Sequence, residues 1–526
     1  MGRSIVDSRA GTADNVAAAS RTIVAMNLEQ IFKAYDIRGT VPDQLDEEAA
    51  RRIGAAFARF AGASRIAVGR DCRDSSPGLA TALIAGITSQ GVDVDDLGMI
   101  TTDMVYFAAG SLDQPGAMIT ASHNPKGYNG IKLCLAGAAP VGIDSGLVEI
   151  RQTAETDLAP VDREGTISQV DVLSGYVDHL LSIVQAEQIG DLKVIADGGN
   201  GVAGVAVPAV FAQIPAALTG LYLEPDGSFP NHHPDPLRPE NLVDLEAMMR
   251  SQPCDLGVAF DGDADRAFFI DDQLQPLPGS TVTAIVAAWF LRKHSGEKIV
   301  HNLICSKAVP ESVRAAGGEP VRTRVGHSFI KQVMKETGAI FGGEHSGHYY
   351  FRDNYRADSG ILAMLVLLQV LAEDGRPLSE LRREYEPYKQ SGEINFEVAD
   401  KEAAISSIAN AFAGEMDWLD GLTVDLGDRW LNVRPSNTEP VLRLNVEAPH
   451  AEGVDELVAQ VRSILMESDR PGLLPDGLLE IMQCPACAGA LREVEEPPSL
   501  LCADCGLRYP IEDGIPVMLI DQATQT

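Results

Sequence analysis

Three aspartates at alternate positions are the clearest chemical signal in this chain. The stretch LGVAFDGDADRAFFI (256–270) delivers Asp261, Asp263 and Asp265 out of an apolar run, separated only by Gly262 and Ala264. In an extended segment alternate side chains project from one side, and three like charges so close call for a neutralising cation. An all-oxygen ligand set suits Mg2+, which keeps positions open for a phosphate oxygen or water. An EF-hand begins the same way, but its sixth and twelfth positions must be Gly and Glu. Here those positions hold Arg266 and Asp272, so that reading fails.

A second stretch, MITASHNPKGYNGIKL (118–133), sets Ser122 beside His123 in a loop between two apolar runs. Neighbours in an extended loop point to opposite sides, so His123 is expected to be badly placed to take a proton from Ser122. A nucleophile–base dyad needs hydrogen-bond reach, which adjacency in sequence does not supply. A third, NVRPSNTEPVLRL (432–444), offers Arg434, Ser436, Asn437 and Thr438 between two predicted strands. A guanidinium with hydroxyls, an amide and turn N–H groups is what a phosphate monoester needs, although Pro-Ser-Asn is also ordinary turn chemistry. GGEHSGHYYF (342–351) is a Gly-flanked loop whose Glu344, His345, Ser346 and His348 suit sugar hydroxyls, and RVGHSFIK (324–331) adds Arg324, His327 and Lys331. Any one of these histidines is by default a satisfied structural residue.

A competing signal lies in KVIADGGNGVAG, where Gly199, Gly201 and Gly204 form a GxGxxG after a predicted strand, with Glu224 about 20 residues on, where a ribose-binding acid would sit. A nicotinamide-dependent oxidoreductase would leave the Asp triplet, the Ser122 loop and the Arg434 loop unexplained, and is the weaker reading.

Such loops need scaffolds. Three stretches, from Arg65, Lys193 and Lys298, each run from a short apolar segment through a polar or Gly-rich turn into a helical segment. Strands alternating with helices imply β-α-β units with strands buried on both faces. The expected fold class is therefore α/β: three successive mixed-sheet domains, then a small α+β fourth domain and a C-terminal zinc-ribbon-like domain. The expected boundaries are 1–26 for a loose leader (with Met26 an alternative start), 27–165, 166–272, 273–388 and 389–466 for the four domains, 467–477 for a Pro/Gly-rich linker, and 478–526 for the tail.

The 526 residues carry 45% hydrophobic and 22% charged residues, an ordinary globular composition with a net charge of −33. That excess argues against nucleic acid or an anionic membrane as a direct partner. No stretch approaches the ~20 apolar residues of a membrane span, and the first 25 residues lack a signal-peptide core. The cytoplasm is the expected compartment.

Taken together, AYDIRG (34–39), TASHNP…NGIK (120–132), DGDADR (261–266), GEHSGH (343–348) and RPSNTEP (434–440) make the chain from about Tyr35 to about Val446 resemble the α-D-phosphohexomutases, in their phosphomannomutase/phosphoglucomutase branch. The resemblance implies an isomerase that moves phosphate between the 6- and 1-hydroxyls of a hexose. Ser122 would be carried as a phosphoserine and the reaction would pass through a hexose 1,6-bisphosphate. Asp261, Asp263 and Asp265, with a phosphoserine oxygen on Ser122, would hold Mg2+. Acid–base work would fall near Arg38, Lys132, His327 and His348, with His123 in support. Tyr35, Arg266, Arg324, Glu344, Ser346, Arg434, Ser436, Asn437, Thr438 and Arg443 would bind substrate. Mannose and glucose 1- and 6-phosphates are the expected ligands, because contacts to O3 and O4 cannot separate sugars that differ at C2. A phosphoglucosamine mutase is the alternative within the family, and a monomer or homodimer is expected.

The tail departs from that pattern. Cys484, Cys487, Cys502 and Cys505 form CxxC-x14-CxxC, a zinc-ribbon arrangement. With LLEIMQCPAC before and LRYPIEDGIPVML after, it resembles small zinc-binding activators of tRNA and protein methyltransferases. That implies structural Zn2+ and a protein partner recruited through the tail. The alternatives are a domain that only stabilises the enzyme, or a mutase fold kept as a binding subunit.

Overall fold

The structure, a computed structural model, describes residues 27–526 apart from 157, 437–440, 469–473, 475–477, 495, 513 and 526. The expected leader, most of the expected linker, and Asn437 and Thr438 lie outside the described residues. The chain divides into two compact units, Met1–Pro387 and Tyr388–Thr526.

The first unit repeats one topology three times. In each domain four strands stand in the spatial order second, first, third, fourth, with the first three parallel and the fourth antiparallel to the third. In the first domain these strands are Asp93–Met99, Arg65–Arg70, Gly116–Ile119 and Tyr128–Leu135. Ile37–Thr40 and Ile167–Gln169 extend that sheet at its two edges. The second domain uses Ala217–Leu221, Lys193–Asp197, Leu256–Phe260 and Ala267–Ile270. The third uses Glu319–Thr323, Lys298–Asn302, Phe341–Gly343 and Tyr349–Phe351. Residue similarity among the three stretches is weak, yet the strand order is the same.

Burial explains the composition of these strands. Leu256–Phe260 is buried at every position, as a strand covered by helices on both faces must be. Helices Gly279–Lys293 and Gly360–Asp374 are apolar nearly all round and lie inside the large core that runs from Ala67 to Leu381. Ser359 caps the second of these by accepting from the Leu362 N–H.

The three glycines of the dinucleotide-like pattern have a packing role. Gly199 has φ +52°, and a Cβ on Gly201 would lie 2.6 Å from the Gly262 carbonyl oxygen. One on Gly204 would lie 1.6 Å from the Leu223 oxygen. These contacts bring the turn close to the Asp-triplet loop and to the segment after strand Ala217–Leu221, and with the left-handed φ of Gly199 they account for the glycines without a nucleotide.

In the second unit, residues 389–468 form an antiparallel sheet in the order Lys389–Gln390, Val441–Ala448, Trp430–Pro435, Leu422–Asp425, Glu415–Asp417, with Ile394–Glu397 also on Val441–Ala448. Helices Lys401–Ala411 and Ala451–Ser468 contribute to its core. The tail is a small antiparallel sheet, Leu491–Val494, Ser499–Cys502 and Leu507–Glu512, around Leu491, Leu500 and Tyr509. Among the described residues no helix is long and apolar enough to cross a membrane.

Candidate active site

The repeated topology places three of the motif loops in equivalent positions. Residues 120–127, 261–266 and 344–348 each join the third strand of a domain to its antiparallel fourth, at the carboxyl end of the parallel strands where α/β sheets receive ligands. A bridge between Arg266 and His348 ties the second loop to the third. The first and second meet so closely that a Cβ on Gly262 would lie 2.5 Å from the Ser122 carbonyl oxygen.

Ser122 is buried and holds φ at +51°, a left-handed conformation that costs a non-glycine residue about 1–3 kcal/mol. Its N–H donates to Thr120 Oγ1 at 2.9 Å, and its hydroxyl donates to Asp261 Oδ2 at 2.6 Å. This conformation corrects the expectation for His123. The loop is not extended here, so the two side chains do not diverge, and His123 Nδ1 lies 3.1 Å from Ser122 Oγ. His123 is still not a base for Ser122: Arg266 Nη2 donates to the same Nδ1 at 2.8 Å, and the Ser122 proton is directed to Asp261. Burial, with Arg266, Arg38 and Lys132 nearby, pushes the imidazole well below its usual range.

The triplet is fully buried. Lys132 Nζ lies 2.7 Å from Asp263 Oδ2 and 2.5 Å from Asp265 Oδ2, while the Thr102 hydroxyl donates to Asp263 Oδ2 at 2.6 Å. Burial opposes the charge on Lys132, but the two aspartates outweigh it and raise the ammonium above the ordinary lysine range. Burial likewise opposes ionisation of Asp263, and Lys132 overrides it, holding the carboxyl below the usual range. Asp261 meets Arg266 Nε at a longer 3.5 Å, which only partly offsets the opposing effects. Burial and its two acidic neighbours push it up to about 8. Oδ1 of Asp263 and Oδ1 of Asp265 are buried without a hydrogen-bond partner among the described residues. One carboxylate oxygen from each of the three lies within 4.8 Å of the others. Orphaned carboxylate oxygens in a dry all-oxygen cluster fit Mg2+.

Around this centre the third domain supplies His348, whose Nδ1 lies 2.8 Å from Asp358 Oδ2 and 3.8 Å from Asp265 Oδ1. Burial lowers its affinity for a proton, but Asp265 and Asp358 more than compensate, so the imidazole titrates above its usual value. Lys331 Nζ lies 2.7 Å from Asp358 Oδ1. Glu344 accepts from Tyr350 Oη at 2.6 Å and from Asn302 Nδ2 at 3.1 Å, with Ser346 Oγ at 3.4 Å. Arg38 donates to Asn124 Oδ1 of the Ser122 loop and to Asp36, both at 2.5 Å. Tyr35 packs edge-on to His327 at 5.5 Å and donates to the Val325 oxygen. Arg324 stacks 4.4 Å over Phe329. Burial and Lys331 push His327 well below its usual range. In the second unit, Arg434 and Arg443 share Glu393, at 2.8 and 3.2 Å, and Ser436 directly follows strand Trp430–Pro435.

Sequence reasoning missed Thr102, Asp358, Asn302, Glu393 and the Asp71–Arg73 pair. Only GRDCRD (69–74), a charged turn after an apolar strand, carried a signal that could have singled out the last pair. In the tail, Cys484 Sγ lies 3.6 Å from Cys505 Sγ and Cys487 Sγ 3.4 Å from Cys502 Sγ, with all four sulfurs in one cluster. Four sulfurs at these separations fit a tetrahedral Zn2+ with bonds of ~2.3 Å.

Comparison with known proteins agrees with this arrangement. Residues 29–158, 174–274 and 278–388 match alpha/beta/alpha domains I, II and III of phosphoglucomutase/phosphomannomutase, and 393–464 match the C-terminal domain. Residues 476–514 match the Trm112p-like proteins. A phosphomannomutase from Salmonella montevideo is 40% identical over 436 residues, 80% of this chain and 96% of the relative. One from Escherichia coli K12 is 40% identical over 430 residues, 79% of this chain and 94% of the relative. A crystal structure of a phosphoglucomutase/phosphomannomutase family protein from Burkholderia thailandensis superposes with a TM-score of 0.78 at 34% identity, covering 84% of this chain and 98% of that one.

Proposed function

This chain belongs to the phosphoglucomutase/phosphomannomutase family, and on that footing we propose that it moves a phosphoryl group between the 6- and 1-hydroxyls of mannose and glucose phosphates. The observation that carries the reading is the Ser122 hydroxyl, buried and 2.6 Å from Asp261 in a ring of three carboxylates. Such a hydroxyl is positioned to carry a phosphoryl group beside a metal, not to hydrolyse an ester.

In the forward half-cycle the free hydroxyl of a hexose monophosphate loses its proton and its oxygen attacks the phosphorus on Ser122. The bond from phosphorus to Ser122 Oγ breaks, giving the 1,6-bisphosphate. After the sugar turns round, Ser122 Oγ attacks the other phosphate and the sugar oxygen leaves with a proton. His348 is assigned the proton transfers to and from the sugar: with Nδ1 committed to Asp358, Nε2 is the nitrogen left to exchange a proton. Lys132 and Arg266 hold the carboxylates in place and keep positive charge beside the transferring oxygens. Mg2+ held by Asp261, Asp263, Asp265 and a phosphoserine oxygen would neutralise charge developing on the transferred group. Glu344 and Ser346, braced by Tyr350 and Asn302, are assigned to sugar hydroxyls. Arg434, Ser436, Asn437, Thr438 and Arg443 are assigned the phosphate that is not reacting.

The test is mutase turnover of mannose 1-phosphate and glucose 1-phosphate side by side, with Mg2+ and a trace of hexose 1,6-bisphosphate. Comparable turnover of both is expected. Turnover of neither, with glucosamine phosphate accepted instead, overturns the substrate assignment.

For the tail we propose one structural Zn2+ on Cys484, Cys487, Cys502 and Cys505. The Trm112p-like match, and the exposed Ile481, Ile515, Leu519 and Ile520, support a protein partner there. Metal analysis should find about one zinc per chain, released when the thiols are modified, because thiolates are the ligands. Four freely titrating thiols and no zinc would remove the metal from the account.

A further inference from the structure

We infer that Arg73 is the positioning residue of the phosphoserine loop, through a guanidinium that spends all five of its N–H donors on holding that loop in one conformation. Arg73 lies in the turn after strand Arg65–Arg70, 49 residues before Ser122, and its side chain is 1% exposed. Nη2 donates to the carbonyl oxygens of Ser122 and Asn124, each at 2.7 Å. Nη1 donates to those of Pro125 at 2.9 Å and Tyr128 at 3.1 Å. Nε donates to Asp71 Oδ2 at 3.2 Å, and Asp71 Oδ1 accepts from the Arg73 N–H and from Ser76 Oγ. A guanidinium has five N–H donors in a fixed plane, so every one is used, four of them on main-chain oxygens between residues 122 and 128.

The side chain is itself held from both sides. Phe229 covers the guanidinium, with its ring centroid 5.1 Å from Cζ. Gly227 presses on its backbone so closely that a Cβ there would lie 2.6 Å from Arg73 Cα. Both residues belong to the chain segment that follows the second domain's strand Ala217–Leu221.

The consequence lies in the geometry at Ser122. Its left-handed φ aims the hydroxyl at Asp261, and nothing intrinsic to serine favours that conformation. Ser122 O is also the atom against which Gly262 of the metal-binding loop packs. Arg73 therefore fixes the distance between the phosphoryl carrier and the triplet without touching either the reacting atoms or the sugar. A lysine at this position has three donors on a rotating ammonium, so at least two of the five acceptors lose their side-chain donor.

This inference rests on the reading of Ser122 as the phosphoryl carrier, so Arg73→Lys and Ser122→Ala are measured together on the full chain. The enzyme is labelled with glucose 1,6-bisphosphate, sites are counted by phosphate incorporated per chain, and single-turnover transfer to glucose 1-phosphate is timed. Counting sites keeps partial unfolding out of the rate. For Arg73→Lys the transfer rate per labelled site is expected to fall about 10²-fold while KM for glucose 1-phosphate stays within about threefold. A rate per labelled site within about threefold of the parent, with only the number of sites reduced, would make Arg73 a stability residue and overturn the inference. Label and turnover surviving in Ser122→Ala would instead overturn the carrier reading, and the inference with it.

Discussion

Ser122→Ala abolishes mutase turnover, by at least about 10⁴-fold in kcat, while hexose phosphate binding stays within about threefold. The size of the loss follows from the absence of a substitute. A reaction that parks its phosphoryl group on the enzyme has no route when the oxygen is gone, and the nearby hydroxyls are committed. Thr120 Oγ1 accepts from the Ser122 N–H, and Thr102 donates to Asp263. Binding persists because the sugar and phosphate groups of the substrate are assigned to other loops. Removing a hydroxyl of one buried residue leaves the loop's backbone bonds in place, so the variant should fold. The measurements are intact-mass detection of the phosphate, which should vanish, and calorimetric titration of glucose 6-phosphate. Retained turnover would sink the assignment of the carrier.

Asp263→Asn has the next largest effect: kcat falls about 10²–10³-fold, and the Mg2+ concentration for half-maximal rate rises at least about tenfold. Asp263 occupies the middle of the triplet, where it meets Lys132 and Thr102 through Oδ2 and leaves Oδ1 buried without a partner. An amide keeps the volume but removes one of three charges from the cation site. It also offers Lys132 an N–H where an acceptor stood, or turns that N–H toward the metal. The magnitude corresponds to about 3–4 kcal/mol of lost transition-state stabilisation. Partial recovery at high Mg2+ would separate loss of metal affinity from loss of fold. Rates and metal dependence equal to the parent's would show that the metal is held elsewhere.

Much of this protein is readable along the chain. Five short motifs in a fixed order identify the family, and each is a run of adjacent residues whose chemistry is local. The Asp triplet points to a cation because its charges are neighbours in sequence. The four tail cysteines point to zinc because their CxxC spacings are local too. The α/β class follows from apolar segments alternating with helical ones, and the Pro/Gly-rich stretch separates the tail.

Tertiary structure decided what depends on partners distant in sequence. That the Ser122, Asp-triplet and Glu344 loops are equivalent connections in one repeated sheet is a matter of strand order, which weak residue similarity does not carry. His123 comes within reach of Ser122 because the loop turns left-handed, a backbone state that an alternation rule for extended chains cannot foresee. Two of the three glycines that read as a nucleotide turn, Gly201 and Gly204, are required by the approach of Gly262 and Leu223, residues 61 and 19 positions away, and the third, Gly199, by its left-handed φ. Arg73 and Asp358 look like ordinary surface charges until the fold buries them. Their partners are supplied by topology, and a buried charge is tolerated only where the whole chain has brought acceptors or an opposite charge to meet it.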